Sequence, residues 1–220
     1  MNSQNKELNN VLVINSSART TGSQSRKLAE TFINHWKKNH INSKIQLREL
    51  GNKIIPHITE EWIRAAFKPL ENRTLDDFNS LEISDEYIKE LKDADIIVIA
   101  SPMYNWSIPS CLKAYIDQVV RVNETWRYNP DNIQNPYIGL LENKAVVLLL
   151  TRGSQGYEKG GCNEHIDFQT NYLKKVFNVI GIADIHVINI DGEANNKEDY
   201  KINIKIAHQK IIDLIETKLS

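Results

Sequence analysis

Three short stretches gather most of the side chains that could grip a small molecule: "SSARTTGSQS" (16–25), "SPMYNW" (101–106) and "TRGSQGYEKGG" (151–161). The first offers six hydroxyls and one glycine just ahead of a helical pattern, whose opening N–H groups lack intrahelical partners. Such a terminus suits a phosphate: the helix dipole contributes ~0.3–1 kcal/mol and each hydrogen bond to a charged oxygen ~1.5–3 kcal/mol. Arg19 adds positive charge nearby. Two readings stand side by side, Ser23 as a plain helix cap or the whole loop as a phosphate cradle, and the density of hydroxyls favours the cradle.

The second stretch ends an apolar run with a proline, a methionine, two aromatics and an asparagine, far more than a turn and a cap require. Tyr104 and Trp106 offer flat faces, Asn105 a donor and an acceptor, and the peptide groups of 103–106 can meet the edge of a planar ring. The third stretch holds four of the nine glycines (153, 156, 160 and 161), so the backbone there can approach a ligand closely or move, and Arg152 brings a fixed charge. Taken singly, aromatics after a strand are core filler and a glycine-rich loop is a mobile surface loop. Three such loops at one edge describe a pocket for a phosphate and a planar heteroaromatic ring.

These loops need a scaffold that ends them together. Four runs, 11–17, 96–102, 145–151 and 185–190, are apolar at consecutive positions, which a strand covered on both faces requires. A fifth, "KIQLREL" (44–50), suits a sheet edge. Between them Leu28, Ala29, Phe32, Ile33 and Trp36 make one stripe on a helix from about Ser23 to His40. Further helices are expected over Ser84–Lys92, from Pro109 through Val122, from about Asp167 to Val179 and from about Lys197 to Lys218. The stretch 52–82 is irregular and predicts an excursion beside the sheet with a short helix around Glu60–Phe67. Alternating strands and helices predict an α/β fold: a parallel sheet with helices on both faces, in one domain spanning 1–220. Ligands of such sheets collect beyond the carboxyl ends of the strands, where the three loops lie.

Composition narrows the function. A length of 220 residues, 41% of them apolar, can bury one sizeable core. With 27 basic against 28 acidic side chains, no general field exists to gather nucleic acid or an anionic membrane. No run approaches the ~20 apolar residues of a membrane helix, and "MNSQNKELNN" lacks a secretion-signal pattern, so a cytoplasmic location is expected. Cys111 and Cys162 lie far apart and are expected as buried filler, and the six histidines form no close ligand pair, so neither a dithiol centre nor a metal site is expected. The first loop lacks both G-x-G-x-x-G and G-x-x-x-x-G-K-[ST], which argues against a dinucleotide across this turn and against triphosphate hydrolysis. A phospho-accepting receiver would want carboxylates where Asn15, Ser16 and Ser101 stand, and no positioned histidine accompanies Ser16 or Ser101 for hydrolysis. With no catalytic side chain evident, the chemistry falls to a cofactor, and flavin mononucleotide (FMN) meets the demand for a monophosphate plus a planar ring.

The residues also carry a resemblance. "SSARTTGSQS", "SPMYNWSIPSCLKAYIDQVVRVNETWRY", "TRGS" and "YLKKVFNVIGIADIHVINIDG", in that order across nearly the whole chain, are similar to the FMN-dependent NADH azoreductases, which belong with the flavodoxin-like NAD(P)H quinone reductases. The resemblance implies a flavodoxin-like three-layer sandwich with a five-stranded parallel sheet in the order 2-1-3-4-5, and a homodimer with flavin sites at the subunit interface. It implies non-covalent FMN, its phosphate and ribityl end held by Ser17, Ser23, Gln24 and Ser25. Met103, Tyr104, Asn105 and Trp106 would contact the ring, joined by Thr151, Arg152, Gly153 and Ser154, with Arg152 near the developing charge. Trp106 and Tyr128 would wall the slot for the quinone or azo acceptor. NADH would donate hydride and the acceptor remove it in two half-reactions at one site, a ping-pong order. An electron-carrying flavodoxin or a non-catalytic ligand-binding module would share the fold. The family's S-R-G-G reads Thr151–Ser154 here, and Trp106 stands where Phe is common, which bears on acceptor preference.

Overall fold

The computed structural model describes residues 10–219. In chain order the elements begin with β1 (Asn10–Asn15), α1 (Gln24–Asn39), β2 (Lys44–Glu49), α2 (Glu60–Phe67) and α3 (Leu75–Asp93). They continue with β3 (Ile96–Pro102), α4 (Ser110–Val119), β4 (Trp126–Tyr128), β5 (Tyr137–Gly139) and β6 (Ala145–Arg152). α5 (Thr170–Val179), β7 (Asp184–Asp191) and α6 (Lys197–Thr217) complete them. The order β2-β1-β3-β6-β7 makes a five-stranded, fully parallel sheet, which is the expected 2-1-3-4-5 arrangement once the sheet strands are counted in sequence.

The consecutive apolar runs are explained by two cores, one on each face. Leu12, Ile14, Ile97, Ile99, Val146, Leu148 and Leu150 pack toward Tyr87 and Leu91 of α3, Leu112 and Tyr115 of α4, and Leu173 and Phe177 of α5. The alternate residues Val11, Val13, Ile96, Val98, Val147 and Leu149 pack toward Leu28, Phe32 and Trp36 of α1 and Ile211 and Ile215 of α6. A strand with partners on both sides cannot alternate polar and apolar residues. Edge strand β2 has no residue buried, as its mixed sequence requires.

Two parts differ from expectation. α3 starts at Leu75 and not near Ser84, because Thr74 and Asp77 form a capping box in which each side chain accepts the other's backbone N–H. The last eight residues of the 52–82 stretch are therefore helix. The antiparallel hairpin β4–β5 was not foreseen; Trp126 meets the Tyr137 ring edge-on at 5.3 Å. A side chain at Gly139 would collide with the Gly181 backbone, so the hairpin lies directly on the turn after α5.

The excursion is fastened to the core by one buried amide. Trp62 Nε1 donates to Gln118 Oε1 (2.9 Å), Gln118 Nε2 donates to the Pro56 carbonyl (2.9 Å), and Ser84 Oγ donates to the Gln118 carbonyl (2.5 Å). Truncating Gln118 leaves the buried Trp62 N–H without an acceptor, a loss of about 1–3 kcal/mol. Gln118→Ala is expected to lower the unfolding free energy by about 2 kcal/mol in urea titrations; a change under about 0.5 kcal/mol would show that the latch contributes nothing.

Candidate functional site

The ladder runs past the strand ends into the loops. Ser16 N–H and Ser16 Oγ both donate to the Ala100 carbonyl (3.0 and 3.2 Å), tying the loop after β1 to β3. Met103 N–H donates to the Thr151 carbonyl (2.8 Å), tying the loop after β3 to β6. Gly192 N–H donates to the carbonyls of Arg152 and Ser154 (both 3.1 Å), and Ala194 N–H to Gly153 (2.9 Å), tying the loop after β6 to the end of β7. The three predicted loops thus leave the sheet at one edge.

At the β1 end Ser17, Ser23 and Ser25 are buried and Gln24 is half-buried. Ser23 is the N-cap of α1, accepting from Arg26 N–H at a long 3.5 Å, and its hydroxyl lies 3.1 Å from that of Ser25. Helix α1 places no carboxylate in its first turn, as is also true of α4 and α5, whereas α2, α3 and α6 each place two, so the positive end of α1 carries no acidic compensation of its own. Gly22 sits at φ +72°, in the left-handed region where a side chain is strained. Arg19 is largely exposed, 3.6 Å from Glu193.

The loop after β3 is a two-residue hairpin turn. Tyr104 and Ser107 exchange both backbone hydrogen bonds (2.9 and 3.0 Å) around Asn105 (φ 48°) and Trp106 (φ 63°). Both central residues are left-handed, the pattern of a type I′ turn, which asparagine tolerates and tryptophan resists. The turn answers why the strand ends so elaborately: it keeps Tyr104 and Trp106 exposed, Trp106 by 56%. Expectation is met only in part, since the N–H groups of Met103 and Tyr104 are already committed to Thr151 and Ser107. Beside the turn lies a cleft of about 530 Å³ lined by Tyr104, Asn105, Ile108, Lys113 and Tyr172. Burial pushes the Tyr172 phenol up to about 12, so it stays protonated at neutral pH.

At the β6 end, the fixed positive charge expected of Arg152 is present but already paired. Its guanidinium is buried, bonded to both carboxylate oxygens of Asp191 (2.6 and 2.9 Å) and to Asp167 (2.9 Å), and stacked 4.8 Å from the Tyr157 ring. Burial holds the Asp191 carboxyl above its usual range, with Arg152 pulling the other way. Because Asp167 lies at the far end of the glycine loop, Arg152 staples that loop shut. Asn163 N–H and Nδ2 add bonds to Gly156 and Gln155, so the stretch is braced and not a loose flap. Cys162 is exposed, not buried filler, and its sulfur packs on Gly156; Cys111 is half-buried with Sγ 3.4 Å from the Ser16 carbonyl.

A side chain at Gly153 would meet no protein atom, and its φ does not demand glycine. Tyr128 stands apart on the β4–β5 hairpin, 59% exposed, and no hydrogen bond or ring contact joins it to the three loops among the described residues. No cluster of metal-ligating side chains occurs among the described residues, and no helix there is long and apolar enough to cross a membrane. Sequence reasoning missed Arg26 and Glu49, which grip the first loop; an arginine one residue past S-Q-S and a glutamate ending β2 were the available signals.

A family model described as a flavodoxin-like fold matches residues 9–213. FMN-dependent NADH:quinone oxidoreductase 1 of Pseudomonas fluorescens is 35% identical over 94% of this chain and 98% of its own length. The chain belongs to the flavodoxin-like FMN-dependent NADH:quinone oxidoreductases. A relative of the same description from Trichormus variabilis is 39% identical over 94% of this chain and 96% of its own. Among solved structures, an FMN-dependent NADH-azoreductase from Bacillus anthracis in complex with FMN superposes with a TM-score of 0.82 at 25% identity, covering 94% of this chain and 98% of that one.

Ser23→Ala is expected to weaken FMN binding by about 1–2 kcal/mol, the lower part of the range for one hydrogen bond to a charged oxygen. Flavin fluorescence titration of the apoprotein measures it; unchanged affinity would remove Ser23 from the site.

Proposed function

We propose that this protein binds FMN non-covalently at the carboxyl edge of its sheet and uses it to carry hydride from NADH to quinones and azo compounds. The observation that carries the reading is the convergence at one edge of an uncompensated helix terminus with buried hydroxyls and a turn that exposes two aromatic rings. The residues fit the cofactor: a dianionic phosphate needs N–H and O–H donors, the two carboxylates beside this loop, Glu49 and Glu193, are each paired with an arginine, and a planar ring needs flat apolar faces with backbone at its edge.

Ser17, Ser23, Gln24 and Ser25 hold the phosphate and ribityl end. Met103, Tyr104, Asn105 and Trp106 bound the ring, and the backbone of Thr151, Arg152, Gly153 and Ser154 faces its polar edge. With the Arg152 side chain neutralised by two aspartates, charge developing at that edge is met by peptide N–H dipoles and not by a free cation. When bound, FMN supplies the hydride acceptance from NADH and the hydride return to the acceptor. Donor and acceptor take turns over the same exposed face, which removes any need for a separate dinucleotide fold and gives a ping-pong order. Trp106 forms one wall of that slot. Tyr128 forms the other in a homodimer whose flavin sites lie between subunits, a reading supported by its exposure on the β4–β5 hairpin. The cytoplasm, where NADH is made, is the proposed setting.

Initial rates with NADH and a quinone varied together are expected to give parallel double-reciprocal lines. Intersecting lines would contradict alternating occupancy, and negligible turnover would leave only an electron carrier or a binding module. Trp106→Ala should change the ratio of kcat/KM between a quinone and an azo dye while FMN affinity stays within about threefold; the reverse pattern would make Trp106 a cofactor anchor.

A further inference from the structure

We propose that Arg26, held by Glu49, is the positioning residue that turns the donors of the phosphate loop toward the cofactor, an inference that rests on the FMN reading. Arg26 lies in the first turn of α1, yet its guanidinium reaches back across the preceding loop. Nε donates to the Arg19 carbonyl (2.7 Å), Nη2 to the Ser17 carbonyl (2.8 Å), and Nη1 and Nη2 to the two carboxylate oxygens of Glu49 (2.5 and 2.6 Å). Four bonds from a planar fork fix its plane and its distance from both loop carbonyls at once.

Glu49 ends β2 and also accepts the Gly51 N–H (2.9 Å), so the clamp is anchored to the sheet. Gly51 is the second anchor. A Cβ there would lie 1.9 Å from the Ser17 carbonyl oxygen, so only glycine lets the chain after β2 close on the carbonyl that Arg26 grips.

The consequence for the ligand follows from peptide geometry. In a trans peptide the C=O and the next N–H point in opposite directions. With the Ser17 and Arg19 carbonyls aimed at the guanidinium, the N–H groups of Ala18 and Thr20 are aimed away from it. Neither N–H is bonded within the described residues, and both residues are exposed. Two oriented donors beside a helix terminus that carries no acidic residue in its first turn can together bind an anion.

The clamp does not act as the phosphate's counter-charge. Glu49 neutralises it, and the hydrogen bonds that Arg26 donates to Glu49 are the main reason the guanidinium holds its proton more firmly than usual. Positioning and charge attraction therefore predict different results for two substitutions. Arg26→Lys keeps the charge but loses the fork that spans both carbonyls and the carboxylate. Glu49→Gln frees the arginine's positive charge but loosens its anchor.

The test is fluorescence titration of the apoprotein with FMN and, separately, with riboflavin, which has the same ring and no phosphate. Far-ultraviolet circular dichroism checks that each variant is folded. The expected result is a loss of FMN affinity of tenfold or more in both Arg26→Lys and Glu49→Gln, with riboflavin affinity within threefold of wild type. Retained FMN affinity in Arg26→Lys, or tighter FMN binding in Glu49→Gln, would make Arg26 a charge and overturn the proposal. So would an equal loss of both flavins, which marks a general structural role. Wild-type protein that binds neither flavin would sink the FMN reading itself and the clamp's purpose with it.

Discussion

Everything at this site depends on register. β1, β3 and β6 lie side by side with Asn15 opposite Ala100, Ala100 opposite Leu149 and Pro102 opposite Thr151, so three strands release their loops within a residue or two of one line. Slipping any strand by one residue would swap its two sets of apolar side chains between the cores, placing Leu12 and Ile14 where Val11 and Val13 belong. Because both faces are packed, the core penalises that slip, and the alignment of the loops follows from burial far from the site.

The loops then convert alignment into shape by local means. The first is closed by an arginine gripping two of its carbonyls, the second by a left-handed two-residue turn, and the third by a buried arginine at its start that binds Asp167 at its far end and Asp191 at the end of β7. In each case polar groups that could bind a ligand are instead spent on rigidity. That arrangement leaves backbone donors, hydroxyls and aromatic faces for recognition. Such preorganisation fits a protein whose contribution is to bind and orient a cofactor that carries the chemistry.

Much of the frame was legible in the sequence because two-sided burial writes itself as unbroken apolar runs, as in "IIVIA" and "AVVLLL". The short helix Glu60–Phe67 was equally plain, since Trp62, Ala65 and Ala66 share one face. The start of α3 was not, because its capping box uses Asp77 in place of the commoner glutamate, amid a polar stretch that reads as loop. The β4–β5 hairpin escaped notice because its strands are three residues each and its connection "NPDNIQNP" (129–136 run) carries no alternating pattern. Among the candidate site residues, position along the chain was enough to put Trp106 and Gly153 in the loops that follow β3 and β6. It could not tell that Arg152 would be neutralised, since both aspartates are distant in sequence, nor that Arg26, on a helix surface by period, would turn back over the loop.

The central claim is that this edge is a built FMN site. Its most direct test is absorbance titration of the metal-free, flavin-free polypeptide with FMN. The account predicts saturation at one FMN per chain, with a perturbed oxidised-flavin spectrum and release of unmodified FMN on denaturation. A protein that stays colourless after gel filtration from excess FMN would contradict it.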